Sequence, residues 1–250
     1  MTAHKRKLAL NFFEMIVPCP YVPDASLDAV FKIDTPKGQA TGFLMEFEIN
    51  EELRRGLLTC NHVACLDEDG RSITPDMSEI SITFNKQTQP ISLDWLARNS
   101  ELPISDQELD FFYVDISPKF QTVLEEKAIQ FLKNWQNSPF ETFLMAHYGE
   151  GCRGISIGKW ISNPIESHWL AHVAPTMLGS SGAPLLASDG KNGFVVAMQC
   201  SIDSVHNINY AVKISSIIDH ITASASILMG SPIDQSAGAA AGMKTRISSN

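Results

Sequence analysis

Short apolar runs broken by turn residues dominate the first half of the chain. Ala29 to Ile33 predicts a strand, Pro36-Lys37-Gly38 a turn, and Ala40 to Phe47 the returning strand of a β-hairpin. Glu51 to Arg55 is polar and predicts a turn. Gly56-Leu57-Leu58-Thr59-Cys60 then predicts a short buried strand that gives way to Asn61-His62. Leu66 to Asp76 is acidic and carries Gly and Pro, which predicts a surface loop. Ile80 to Phe84 alternates as a half-buried strand does, and Glu108 to Ile116 is an acid-led apolar and aromatic strand. From Phe120 to Trp135 the period changes. Val123, Leu124, Ala128, Phe131 and Leu132 recur at helical spacing among Glu125, Glu126, Lys127 and Lys133, predicting an amphipathic helix whose apolar face packs on the core. Strands resume at Phe143–Gly151, Ile155–Ser162, His168–Val173 and Gly193–Ser201, and Asn209–Ile217 is a strand running into the start of a C-terminal helix that extends to about Leu228. The tail from Gly230, rich in Ser, Gly and Ala, has little to bury and reads as disordered.

Composition narrows the function classes. A chain of 250 residues with 44% hydrophobic content can bury a large core, as one big domain or two small ones. A net charge of −9 argues against a nucleic-acid binder, which needs basic patches to neutralise phosphate. No run approaches the ~18 apolar residues that a membrane span requires, so no membrane partner is expected. His4-Lys5-Arg6-Lys7 before Leu8-Ala9-Leu10 begins as a signal peptide does, but Asn11 and Glu14 interrupt the apolar run. A cytoplasmic location is therefore expected rather than secretion. Cys19, Cys60, Cys65, Cys152 and Cys200 are odd in number and lack C-x-x-C spacing. Cys60 and Cys65 bracket His62 as zinc ligands would, but reduced thiols are the expected reading, with no metal or cofactor.

The stretch Leu178 to Leu186, L-G-S-S-G-A-P-L-L, has the composition of a tight turn that presents one hydroxyl before a buried strand. Its glycines allow backbone conformations closed to other residues and bring N–H groups close to a ligand. Gly179-Ser180-Ser181-Gly182-Ala183-Pro184 resembles the G-x-S-G-x-P nucleophile turn of the chymotrypsin-fold, trypsin-like serine endopeptidases. Thr59-Cys60-Asn61-His62-Val63 resembles the T-x-x-H-V form of the HtrA-like branch, and Asp110 opens a run similar to that family's D-[apolar]-A-[apolar] strand. Phe112 stands where the family usually has alanine, and Ala146 and Gly149 replace its usual glycine and proline. The likeness extends over roughly Ala29 to Ile217, with no PDZ-like domain after it.

The resemblance implies an all-β fold of two six-stranded antiparallel β-barrels, with an amphipathic helix between them and a C-terminal helix. The expected divisions are an N-terminal extension (1–25), a first barrel (26–118), a connecting helix (119–136), a second barrel with the final helix (137–229) and a disordered tail (230–250). It also implies a triad of His62, Asp110 and Ser181, in the chain order His, Asp, Ser of this fold. Asp110 is preferred to Asp106, which precedes the apolar run, and to Asp115, at its far end. The backbone N–H groups of Gly179 and Ser181 are the implied oxyanion hole. Pro175, Thr176, Gln199, Cys200 and Ser201 are the implied substrate contacts, and the partner is a protein or peptide substrate. Ser180 occupies the position at which zymogen-activated trypsins carry an aspartate, so an oxyanion loop that matures without that ion pair is expected. The primary pocket has no acid at its base, which leaves Lys/Arg preference unsupported. A small or medium uncharged side chain is expected there, with His172 or His206 as alternative readers of an acidic or Gln residue. A catalytically inactive peptide-binding or scaffold module on the same fold is the alternative function.

Overall fold

The computed structural model describes residues 22–65, 79–84, 90–94, 104–134, 142–149, 152–161, 168–189 and 192–228. The expectations for the extreme N-terminus, the loop at 66–76 and the tail from Gly230 lie outside these residues. After a single-turn helix, α1 (Asp24–Leu27), the first half consists of seven strands: β1 (Val30–Thr35), β2 (Gly38–Ile49), β3 (Glu52–Thr59), β4 (Ser81–Phe84), β5 (Ile91–Ser92), β6 (Ile104–Asp106) and β7 (Phe111–Asp115). They lie antiparallel in the order β5-β4-β1-β2-β3-β7-β6, and no pairing among the described residues joins the two ends.

The polar stretch Glu51–Arg55 was expected to be a turn, and the structure corrects this. Only Asn50 and Glu51 turn, both with positive φ (50° and 69°), as a two-residue hairpin loop demands. From Glu52 onward the chain is already β3, in register with β2 from Ile49↔Glu52 to Phe43↔Leu58. Charges are tolerated on this strand because they are paired across the sheet: Arg54 with Asp115 at 3.1 Å and Arg55 with Glu46 at 3.2 Å.

The amphipathic helix is also shorter than its periodicity predicts. Here α2 denotes the single turn Asn61–Ala64, and α3 spans Pro118–Glu126. Ser117 caps α3 by accepting the Phe120 N–H, Pro118 suits its first position, and Phe120 and Leu124 are its buried residues. Ala128, at φ 54°, breaks the helix. Leu132–Asn134 is instead a strand, β8, wedged parallel between β2 and the later strand β13 (Gly193–Asp203). A buried apolar residue at Leu132 satisfies a helix period and a buried strand equally well, and pairing on two edges decides the outcome.

The second half closes on itself. β9 (Thr142–Gly149), β10 (Cys152–Ile161), β11 (Trp169–His172), β14 (Ile208–Lys213), β13 and β12 (Pro184–Ser188) pair antiparallel around a ring, and β12 meets β9 to complete a six-stranded barrel. Its interior holds Phe143, Met145 and Leu185 against Ala174, Ala183, Ala197 and Ala211. The small residues on four sides make room for the large ones, as close packing requires. The first half is filled by aromatic rings, with Phe31 and Phe84 5.0 Å apart and Phe84 and Phe120 6.2 Å apart. The C-terminal helix, α4 (Ile214–Leu228), has the expected extent. Its buried Ile214, Ile217 and Ile221, spaced three and four apart, belong to the same hydrophobic cluster as the first-half core.

Candidate active site

His62 and Asp110 come together through backbone as well as side chains. β3 ends at Thr59, and α2 carries His62 on its first turn. The Asn61 N–H donates to the Asp110 carbonyl at 3.2 Å, and the His62 N–H donates to Asp110 Oδ1 at 2.9 Å. Asp110 Oδ2 lies 2.8 Å from His62 Nδ1. An ionised carboxylate can only accept, so this contact fixes the proton on Nδ1 and leaves Nε2 as the free base of the ring. Asp110 adopts φ 51°, a left-handed conformation that Asp tolerates better than most residues, at the turn into β7. The other acids are employed elsewhere. Asp106 Oδ1 accepts the Leu109 N–H at 2.6 Å, and Asp115 pairs with Arg54 and with the Tyr113 hydroxyl.

The nucleophile-like turn is clasped by the N-terminal half. Gly179 and Gly182 have φ of +94° and +83°. A Cβ on Gly182 would stand 2.1 Å from the Thr41 carbonyl oxygen, and one on Gly179 would stand 2.4 Å from the Tyr148 carbonyl oxygen. Only glycine fits either place. Thr41, on β2, donates its N–H to the Ser181 carbonyl at 2.9 Å and its hydroxyl to the Gly179 carbonyl at 2.7 Å. The same hydroxyl accepts the Tyr148 N–H at 2.8 Å. With both carbonyls held by Thr41, the N–H groups of Gly179 and Ser181 have no hydrogen-bond acceptor among the described residues. Ser181 and His62 line one open cleft of about 140 Å³, together with Lys37 and Gln39. Among the described residues no hydrogen bond joins the Ser181 hydroxyl to His62.

At the level of sequence nothing matches: neither a protein-family model nor a curated protein. Solved structures do match in shape. A Glu endopeptidase superposes with a TM-score of 0.58 at 12% identity, over 82% of this chain and 94% of that one. The serine protease domain of the Sesbania mosaic virus polyprotein gives 0.52 at 20% identity, over 80% of this chain and 95% of that one. A serine endoprotease from Yersinia pestis gives 0.54 at 13% identity, over 78% of this chain and 62% of that one. The fold is that of the chymotrypsin-like, trypsin-like serine proteases.

Beside the turn, this chymotrypsin-like fold holds a second cavity of about 290 Å³. Of the residues expected to contact substrate, Thr176, Gln199, Cys200 and Ser201 line it, whereas Pro175 is exposed and not among its lining residues. Ile202, expected from the sequence to edge the substrate beside Ser201, also lines it, and so do Met177 and Leu178, which the sequence did not single out; the three are 56%, 51% and 87% exposed. None of the lining residues is charged. Gln199 is fixed from below. Its Oε1 accepts from His172 Nε2 at 2.6 Å, its Nε2 donates to the Ser201 carbonyl at 2.9 Å, and His172 Nδ1 in turn accepts the Ala174 N–H at 3.2 Å. His172 is therefore neutral with its proton on Nε2, and burial pushes its pKa down to about 4. It lies wholly inside the barrel, packed edge-on against Phe143 and Trp160. His206 is exposed on the β13–β14 hairpin and pairs with Asp203 at 2.6 Å.

Cys60, His62 and Asp110 lie close enough to suggest metal ligands. Burial, first, and the neighbouring Cys200 push the pKa of the Cys60 thiol well up, and the thiol donates to the Gln199 carbonyl at 3.1 Å. His62 and Asp110 are already spent on each other. Cys60, Cys65, Cys152 and Cys200 are all free thiols. No helix among the described residues is long and apolar enough to cross a membrane.

Proposed function

We propose that the protein is a serine endopeptidase. The observation that carries this reading is a His62–Asp110 pair, oriented through both carboxylate oxygens, sharing a cleft with Ser181 on a turn that has two unspent N–H groups. In the proposed reaction Ser181 Oγ attacks a peptide carbonyl while its proton passes to His62 Nε2. Asp110 keeps the ring in the productive tautomer and stabilises the imidazolium. The N–H groups of Gly179 and Ser181 take the negative charge that develops on the carbonyl oxygen. His62 then gives the proton to the leaving amine, the C–N bond breaks, and water repeats the sequence to release the acyl group.

The substrate is a peptide segment in extended form. β12 stops pairing with β13 at Pro184↔Met198, so the edge of β13 around Cys200–Ile202 is open to an added strand. Its primary side chain enters the uncharged cavity floored by Gln199, which favours an uncharged residue, because a charge there would find no counter-charge. The missing Ser181–His62 hydrogen bond favours a second reading, a peptide-binding module without turnover. Such bonds are often long before substrate binds, so its absence weighs little.

Digestion of an unbiased peptide library distinguishes the two. The protein is expected to cut internal bonds after uncharged residues, and Ser181→Ala to lower the rate by at least about 10³-fold while remaining folded. A folded wild-type chain that cuts nothing, or a Ser181→Ala variant that cuts as fast, would be incompatible with the proposal.

A further inference from the structure

The loop that offers the two N–H groups is held from behind by a buried network that the triad does not use. The Met177 N–H donates to Ser180 Oγ at 3.0 Å, and the Ser180 N–H donates back to the Met177 carbonyl at 3.0 Å. This reciprocal clasp closes the turn around Gly179. Ser180 Oγ also lies 3.2 Å from His147 Nδ1 on β9, and His147 Nε2 lies 3.1 Å from Ser156 Oγ on β10. Ser180 and His147 are 3% and 1% exposed, so neither has water to fall back on.

The place for the imidazole is built. Gly154 faces His147 across the β9–β10 pair, and a Cβ there would come within 3.1 Å of the ring. Burial lowers the His147 pKa, which keeps the ring neutral. A neutral imidazole has one donor and one acceptor, which is what two hydroxyls in series need. With the proton on Nε2, the Ser180 hydroxyl donates to Nδ1 and the Nε2–H donates to Ser156 Oγ, with no charge brought into the barrel. A carboxylate at residue 180 would need a cationic partner. A hydroxyl held by a neutral ring needs none.

We propose that His147 is a positioning residue for the oxyanion-binding loop. Acting through Ser180, it fixes the Met177–Ser181 segment with the Gly179 and Ser181 N–H groups toward the cleft, so the loop is ordered without a newly cut N-terminus. This rests on the endopeptidase reading. An apolar side chain of similar size would fill the space, but it would leave the buried Ser180 O–H without an acceptor and so weaken the orientation on which the clasp with Met177 depends.

The full chain, with His147→Leu and His147→Asn, tests the proposal on a peptide that the wild-type protein cleaves. His147→Leu is expected to lower kcat by about 10²-fold with KM changed less than about threefold, the signature of an interaction made in the transition state. His147→Asn, which keeps a hydrogen-bonding group near the Nδ1 position, is expected to recover about tenfold of that loss. Hydrogen exchange at the Met177 amide is expected to quicken by at least about tenfold in His147→Leu, and it can be read whether or not the chain cleaves anything. If His147→Leu fails to fold, Ser180→Ala is expected to show the same kcat loss and the same faster exchange. Unchanged exchange at Met177, or an unchanged kcat in an active enzyme, would overturn the role of His147. Normal protection at Met177 that is lost in the variant, in a chain inactive from the start, would instead support the positioning role and count against the endopeptidase reading.

Discussion

His172 and Gln199 form the buried polar pair beneath the cavity, and their chemistry is set by which atom holds a proton. The ring accepts from Ala174 and donates to Gln199, so a second proton would have to displace the Ala174 N–H bond inside an apolar barrel. The unfolded chain, with an ordinary histidine pKa near ~6.5, takes that proton first as pH falls. Because the folded pKa is the lower one, at about 4, stability is full above pH ~6.5 and declines as pH drops toward 4. The whole shift corresponds to at most about 3 kcal/mol. Urea unfolding of the wild type and of His172→Gln, at pH 7 and near pH 4.5, checks this. The variant is expected to lose less stability on acidification. Equal losses in the two proteins would show that His172 does not set the slope. His147, also lowered by burial, acts in the same sense and remains in both proteins.

At the level of elements, the turn from Gly179 to Gly182 depends on backbone that only glycine supplies. Gly182→Ala would add both a strained φ and a Cβ 2.1 Å from the Thr41 carbonyl, whereas Gly38→Ala would meet a strained φ of +139° with nothing within 4 Å. Gly182→Ala is therefore expected to destabilise by about 3 kcal/mol or more, and Gly38→Ala by about 1–2 kcal/mol. Unfolding midpoints decide it, and similar costs at the two sites would contradict the crowding described here. Such local needs are legible in sequence. The G-S-S-G turn, the strand before His62 and the acid before Phe111 each carry their reason within a few residues. The partners that complete the site do not. Thr41 reaches Gly179 across 138 residues, and His147 reaches Ser180 across 33, through hydroxyl and imidazole contacts that no local period encodes. The same limit explains Leu132. Its spacing fits a helix, and only the distant edges of β2 and β13 make it a strand.

Across the whole molecule, the candidate site is a property of the seam. His62 and Asp110 stand on the first half and Ser181 on the closed barrel, and Thr41, β8 and α4 tie the halves together. The halves run into one continuous sheet through β8, and a cleft opens beside that join. The seam is dry where it must be, since Thr41 is fully buried and Thr59 nearly so, with Thr59 donating to the Thr41 carbonyl at 2.8 Å. It opens beside His62 and Ser181. In the proposed reaction His62 makes the Ser181 hydroxyl a nucleophile. Reaction with a fluorophosphonate, followed by mass spectrometry of the digested protein, measures this directly. One adduct on Ser181 is predicted for the wild type, with labelling slowed by at least about 10³-fold in a folded His62→Ala variant. An unlabelled Ser181 in the folded wild type, or equal labelling without His62, would contradict it.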